Sequence, residues 1–123
     1  MEAKKIKSFT DLMAWQKGHK VVLSVYAITK EFPKEEIFGL TNQMRRCAVS
    51  ITSNVAEGFS RKNKKEKKQF YRISLGSLTE LQSQLLIARD VKYLPNKEFK
   101  KIAENTVEVQ KLIFGLIKSA VDF

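Results

Sequence analysis

Histidine and cysteine, the side chains most used in acid–base and nucleophilic catalysis, occur once each in this sequence. His19 lies on the apolar face of the first predicted helix, where a lone histidine is typical of a core residue. Cys47 lies on the apolar face of the second, where a free cysteine behaves as a small hydrophobic side chain. Only an accident of packing would pair them, so we predict that the protein is not an enzyme and has no catalytic residue.

Metal and cofactor motifs are also missing from the sequence. Di-iron helical bundles need Glu-x-x-His pairs, but Gln16 stands three residues before His19. The sequence has no Cys/His cluster with zinc spacing, and its five glycines are too scattered to form a phosphate-binding loop. We therefore expect no metal site, no cofactor and no small-molecule substrate.

The strongest charge signal is the run at residues 61–72, in which seven basic residues accompany one acidic residue. This run supplies +6 of the net charge of +10. Cations at a helix N-terminus oppose the helix dipole, so their number favours a binding role over simple solvation, which is the alternative. We predict contacts to nucleic-acid phosphates, with RNA as the first candidate. The predicted contact residues are Arg61, Lys62, Lys64, Lys65, Lys68, Arg72 and Arg45.

A second polar stripe follows the second helix beside its apolar face. Asparagine, serine and glutamine are poor choices for a plain solvated helix face. A partly buried network between helices or subunits is therefore one interpretation, with Arg46 paired to Glu57 or Glu80, and a solvated face is the other. The residues of this predicted structural network are Gln43, Arg46, Ser50, Asn54, Glu57 and Glu80.

Four stretches with helical periodicity position these residues, and no stretch alternates as a strand would. The predicted helices cover about residues 10–31, 41–57, 64–91 and 97–120 of one domain, residues 1–123. Ser8 with Asp11 resembles a capping box, and Asn63 with Glu66 resembles a second helix start. The short connections predict an all-α, antiparallel, up-down four-helix bundle.

Three residues inside these helices carry more specific expectations. Gly58 stands where a glycine commonly ends a helix, so we expect the second helix to stop there. Gly76 interrupts the third helix at a cost of roughly 1 kcal/mol relative to alanine, which a close helix–helix contact would explain. Phe70 is expected to point into the core, so that the basic stripe faces outward.

The first and fourth helices are apolar over more than the usual stripe. Large exposed apolar patches usually mark association sites, so we predict a ring-like homo-oligomer held through these two helices. Coverage by loops and long lysine stems is the alternative. The sequence shows neither a secretory signal nor a run of 18 apolar residues, so we expect a cytoplasmic protein without membrane contact.

Spaced motifs along nearly the whole chain resemble the family of 23S rRNA intervening-sequence proteins. The matching residues are Phe9-x-Asp-Leu-x-x-Trp15-Gln, Phe32-Pro33, Gly39-Leu-Thr-x-Gln43-x-Arg-Arg46, Ser50-Ile-x-x-Asn54-Val-Ala-Glu57-Gly58 and Gly76-Ser-Leu-x-Glu80-Leu. One departure is Thr52, because the family often has proline after Ser-Ile; this bears on the bend of the second helix.

The resemblance implies an antiparallel four-helix bundle that forms a homopentamer around a central channel. Members are often encoded within intervening sequences of bacterial 23S rRNA genes, and their function is largely unassigned. The family is also similar to the accessory protein of diversity-generating retroelements, a basic pentamer that binds nucleic acid and assists a reverse transcriptase. The alternative function is therefore a protein-interaction scaffold or an accessory subunit for such a nucleic-acid enzyme.

Overall fold

The computed structural model describes residues 5–122, so residues 1–4 of the N-terminal segment considered above lie outside it. The described residues form helices and connecting segments and contain no strand. Two short 3₁₀ helices, Phe9–Asp11 and Lys34–Glu36, precede the first and second long helices. The four long helices are α1 (Met13–Thr29), α2 (Leu40–Ser60), α3 (Lys64–Asp90) and α4 (Asn96–Ser119).

Each long helix packs against its neighbours in the sequence, and α4 returns to pack against α1. Because the connections are short, consecutive helices run in opposite directions. The predicted four-helix bundle is therefore confirmed for the described residues. The most extensive helix–helix contact in the bundle is between α2 and α3.

Both predicted helix starts have the expected hydrogen bonds. The Ser8 hydroxyl accepts from the backbone N–H of Thr10 at 3.2 Å, and the Asp11 carboxylate accepts from the N–H of Ser8 at 3.1 Å. This capping box begins the first 3₁₀ helix, and α1 then starts after extended Leu12, three residues later than the pattern predicts. Asn63 caps α3 by accepting from the N–H of Glu66 at 2.8 Å.

One continuous core lies between the four helices and contains the apolar stripes that the sequence predicts. Side chains from all four helices in it are at most 1% exposed, among them Val25, Ile51, Leu81 and Val109. Such burial contributes roughly 1.5–3 kcal/mol for each large side chain. The bundle therefore has enough apolar burial to position polar groups on its surface.

Gly58 does not end α2, which continues to Ser60, so the expected glycine cap is wrong. The glycine is buried beneath the ring of Tyr71 on α3. A Cβ at this position would lie 2.6 Å from Tyr71 Cε1 and 3.2 Å from the carbonyl oxygen of Lys67. Glycine is needed here because it lets α2 and α3 approach closely.

Gly76 and Phe70 also differ from expectation. A Cβ at Gly76 would meet nothing within 4 Å, so this glycine does not mark a close contact within the described chain. Tyr71, not Phe70, fills the core at 3% exposure. Phe70 is half-buried at the surface, where the Arg61 guanidinium lies 4.7 Å from its ring centroid.

His19 is exposed, so its expected place in the core is wrong. The preceding residue, Gly18, takes the inward position, where a Cβ would lie 3.0 Å from Thr52 Cγ2. The His19 ring instead stacks on the half-buried Trp15 ring, with 4.8 Å between centroids and 10° between planes.

Apolar side chains remain exposed on α1 and α4, including Leu23 at 56% and Phe114 at 50%. The exposed set extends beyond those two helices, because Leu86 and Ile87 on α3 and Phe38 between α1 and α2 are also uncovered. Among the described residues, no helix is both long enough and apolar enough to cross a membrane.

Candidate nucleic-acid interface

Four cations on the first two turns of α3 and the turn after them form what we call the basic patch: Lys64, Lys65, Lys68 and Arg72. They line a shallow depression of about 450 Å³ on the side of α3 that faces the end of α4. Lys64, Lys65 and Arg72 are exposed, and Lys68 is half-buried. Because Asn63 fixes the start of α3, the helix holds these four side chains at set spacings.

Asp122 borders the basic patch from the C-terminal segment. Its carboxylate accepts a hydrogen bond from the backbone N–H of Lys64 at 2.6 Å. A carboxylate at a helix N-terminus is favoured by the helix dipole and by the unpaired N–H groups there. Asp122 therefore offsets part of the positive charge of the patch at the place where an anionic ligand would approach.

Lys67 belongs to the same basic run but is not part of the surface. The side chain is only 4% exposed, and its Nζ donates to the carbonyl oxygen of Phe59 at 2.9 Å and of Gly58 at 3.4 Å. Burial lowers the pKa of this ammonium group. Lys67 thus closes the C-terminal end of α2, where backbone carbonyls lack helical partners.

The remaining predicted phosphate contacts lie apart from the patch. Arg61 forms an ion pair with Glu57 at 3.0 Å, whereas Lys62 is exposed in the short connection between α2 and α3. Arg45 Nε donates to Thr29 Oγ1 at 2.9 Å, and its guanidinium lies over the Tyr26 ring. At 1.5 Å of rise per residue, Arg45 is roughly 24 Å along α2 from Arg61, near the opposite end of the bundle.

The polar stripe of α2 meets α3 along a hydrogen-bonded seam. Ser50 Oγ lies 2.8 Å from Ser77 Oγ, and Asn54 Nδ2 donates to the Ser50 hydroxyl at 3.0 Å. Deeper in the seam, the buried Ser74 hydroxyl donates to the Ile51 carbonyl at 2.7 Å. These contacts place Ser50 and Asn54 in a network between two helices of one chain.

The other members of the predicted network lie at the mouth of this seam. Gln43, Arg46 and Glu80 border an open groove of about 370 Å³. Among the described residues, Arg46 forms no ion pair with Glu57 or Glu80, and Glu57 is paired with Arg61. The suggested Arg46 pairing is therefore not formed within one chain, and a pairing between subunits stays a prediction.

Cys47 lies at the base of the same groove and is buried. Its Sγ donates to the carbonyl oxygen of Ser77 at 3.2 Å. Burial, together with the nearby Glu80 carboxylate, raises the pKa of the thiol to about 12. The thiol therefore stays protonated at neutral pH and is a poor nucleophile. Within residues 5–122, no group of three His, Cys, Asp or Glu side chains could hold a metal ion.

The model of the family described as 23S rRNA-intervening sequence protein matches residues 10–115. The chain belongs to this family. The match spans α1, α2, α3 and most of α4 of this chain, so it does not rest on one short motif.

A solved structure shows the same fold. It is the crystal structure of a protein of unknown function from the S23 ribosomal protein family of Bacteroides thetaiotaomicron VPI-5482. The two chains are 18% identical and superpose with a TM-score of 0.77, covering 87% of this chain and 100% of the other. At this identity the likeness establishes the fold alone. No curated protein matches this sequence.

Proposed function

We propose that this chain is a non-enzymatic helical module that binds nucleic acid through its phosphates. The observation that carries the proposal is the basic patch, in which four cations from one helix line a single shallow depression. Two of them, Lys64 and Lys65, lie in the first turn of α3, where cations oppose the helix dipole, and this cost supports a role for their charge beyond solvation. The net charge of +10 would draw a polyanion toward the patch.

The composition of the patch favours phosphate contacts over base readout. Among the described residues, its lining has lysine, arginine and one aspartate, but no aromatic ring on which a base could stack and no amide to read a base edge. Binding should therefore be salt-sensitive and only weakly sequence-specific.

RNA is the nucleic acid that we propose as the target. Support comes from the description of the family, which ties its members to the intervening sequences of 23S rRNA. An RNA partner of that kind would place the protein in the cytoplasm. Comparing RNA and DNA of the same sequence and length tests this choice.

Self-association through α1 and α4 is a second part of the proposal, with the homopentamer of the family resemblance as the expected assembly. The exposed apolar side chains on these helices, including Leu23 and Phe114, support it. A ring would repeat the basic patch once per subunit. Several linked patches bind a long polyanion far more tightly than one, without any new contact.

A matched pair of charge variants tests the function. The first changes Lys64, Lys65, Lys68 and Arg72 to glutamine, and the control changes the exposed lysines Lys20, Lys30, Lys97 and Lys101 to glutamine. Each removes four positive charges, so the two have the same net charge. Fluorescence anisotropy with a labelled single-stranded RNA measures the affinity at several salt concentrations.

We expect the patch variant to bind RNA at least about tenfold more weakly, and its salt slope to fall by roughly 0.7 for each phosphate that the protein no longer neutralises. The control should retain most of the affinity and slope. Equal losses of affinity in both variants would show that only net charge matters. Tight binding that persists at high salt would contradict the phosphate-contact account.

A protein-interaction scaffold, or an accessory subunit for an enzyme such as a reverse transcriptase, is the second candidate. The observation that favours it is the set of apolar side chains left exposed outside the basic patch, led by Phe38 at 91%. If neither RNA nor DNA binds the wild-type protein at physiological salt, this second candidate replaces the first.

A further inference from the structure

The open groove between α2 and α3, which we call the polar groove, differs in chemistry from the basic patch. Its walls carry Gln43, Arg46 and Ser50 from α2, and Ser77 and Glu80 from α3. These side chains offer hydrogen-bond acceptors as well as donors, whereas the cations of the patch only donate. The groove, at about 370 Å³, can therefore distinguish one ligand from another by its pattern of donors and acceptors.

Two charged groups of the polar groove are not used by the fold. Ser50 and Ser77, which are half-buried, are hydrogen-bonded to each other at 2.8 Å. Arg46 and Glu80 are exposed at the rim, outside these serines, and among the described residues they form no ion pair with each other. A guanidinium and a carboxylate thus remain available to a ligand in the same groove.

The Glu80 carboxylate is held over the floor of the groove. Cys47 lies at the base, and burial together with a hydrogen bond to Glu80 raises the pKa of its thiol. The carboxylate therefore lies within reach of the thiol and not out in the solvent. An ionised carboxylate at such a place accepts hydrogen bonds through two oxygens and donates none.

Guanine is the RNA base whose edges match this pair of groups. Its N1–H and N2 amino group are adjacent donors, which suit the two oxygens of one carboxylate. Adenine and cytosine place an acceptor nitrogen beside their amino group, and uracil places a carbonyl on each side of its single N–H, so a carboxylate repels part of each edge. Guanine also presents O6 and N7, the acceptors that an arginine binds with two hydrogen bonds. Both edges are open in single-stranded RNA.

The polar groove also lies next to the basic patch along one face of α3. Arg72, Gly76 and Glu80 follow each other at i, i+4 and i+8, so Glu80 is roughly 12 Å along the helix from Arg72. Gly76, midway between them, is exposed, and a Cβ there would meet nothing within 4 Å. The helix surface between patch and groove therefore has no side chain at its midpoint, and a strand can lie close against it.

We propose that the polar groove binds a guanine base of an RNA strand whose phosphates lie on the basic patch. Glu80 accepts from the N1–H and the N2 amino group, and Arg46 donates to O6 and N7. The proposal rests on the RNA binding proposed above and adds base recognition to it, because the patch alone contacts only phosphates. Glu80 also repels phosphates, so it lowers the affinity for RNA that has no guanine to offer it.

Short labelled oligouridine strands that differ at one central base test the proposal. That base is guanine, adenine or hypoxanthine, which is guanine without its N2 amino group. Fluorescence anisotropy gives the affinity for each strand, and the ratio of the guanine and adenine affinities is the guanine preference. The groove variants are Glu80→Gln, and Arg46→Lys, which keeps the charge but not the fork of donors. Glu104→Gln is the matched control, because it removes an exposed acid of α4 outside groove and patch.

We expect wild type to prefer guanine over adenine at least about fivefold, with hypoxanthine between them. Glu80→Gln should weaken binding of the guanine strand and strengthen binding of the adenine strand. Glu104→Gln should instead strengthen both slightly and leave the guanine preference unchanged. Arg46→Lys should lower the preference without changing the salt slope. Far-ultraviolet circular dichroism checks that each variant keeps its helices.

Two further results would overturn the proposal in distinguishable ways. If wild type binds the guanine and adenine strands equally, or if Glu80→Gln shifts both affinities by the same factor, then the polar groove does not read a base, and phosphate binding by the patch stands. If wild type binds none of the strands at physiological salt, then the proposed function itself fails and base recognition fails with it.

Discussion

The two flanks of α3 differ in how they use polar residues. Toward α2, Ser74 and Ser77 join hydrogen bonds between helices, and Tyr71 covers Gly58 where α2 and α3 approach closely. Toward α4, Lys68 and Arg72 border an open depression, and Leu86 borders an unfilled apolar slot.

This difference separates residues that hold the fold from residues left free to bind. A buried hydroxyl costs free energy unless it is hydrogen-bonded, and on the α2 flank each named serine has a partner. On the α4 flank, cations and carbon surface remain available to a ligand or another copy. Whether a polar residue of α3 stabilises the fold or is available for binding therefore depends on whether it faces α2 or α4, and not on its residue type.

The largest expected effect comes from adding one methyl group on the α2 flank. Gly58→Ala should destabilise the protein by about 2 kcal/mol, because the new Cβ would lie 2.6 Å from the Tyr71 ring and force α2 and α3 apart. Gly76→Ala is the matched control on α3, where nothing lies within 4 Å. It should stabilise the protein by roughly 0.5–1 kcal/mol through helix propensity.

Urea unfolding followed by circular dichroism measures both free-energy changes. If Gly58→Ala leaves the free energy of unfolding unchanged, the α2–α3 seam has room to adjust, and the proposed difference between the two sides of α3 is wrong. It would also need revision if Gly76→Ala destabilised the protein, which would point to a contact at Gly76 between copies.

Two adjacent lysines test the same comparison within one turn of helix. Lys67→Met should reduce stability by about 1 kcal/mol, because the carbonyl oxygens of Phe59 and Gly58 lose a charged donor while the aliphatic stem is kept. The affinity for RNA and its salt dependence should not change. Lys68→Met should do the reverse, leaving stability intact and lowering the salt slope by roughly 0.7.

Unfolding curves measure the stability of both variants, and RNA anisotropy titrations measure their affinity for RNA and its salt slope. If Lys67→Met lowers the salt slope as much as Lys68→Met does, then Lys67 reaches the ligand and the division between the flanks is wrong at this residue.

The sequence predicts the helices well, because capping residues and apolar spacing are local signals. Ser8 with Asp11 and Asn63 with Glu66 cap as expected, and the four-helix bundle follows from the short connections. It is harder to predict which face of a helix points into the core. Lys67 would have been placed inward if the phase of α3 had been taken from Tyr71, which lies four residues further on, instead of from Phe70.

Other features have no local signal at all. His19 is exposed because Gly18 can pack against Thr52 of α2, a contact that depends on how closely two helices approach. Asp122 reaches the basic patch from 58 residues away, through a C-terminal segment whose path is set by the whole bundle. Charge composition alone therefore predicts a basic patch but not the acid beside it.

The smallest expected effect concerns that acid on the α4 flank. Asp122→Asn removes a negative charge that hydrogen-bonds the backbone N–H of Lys64 at 2.6 Å, and the amide oxygen can still accept the same bond. RNA affinity should rise several-fold at low salt, because one charge near the phosphates is worth roughly 1 kcal/mol or less at an exposed site. The gain should shrink as salt screens the patch.

Asp90→Asn, which removes an exposed acid at the far end of α3, should change affinity much less. An affinity that both variants raise equally would mean that net charge governs binding, and that Asp122 has no special place beside the basic patch.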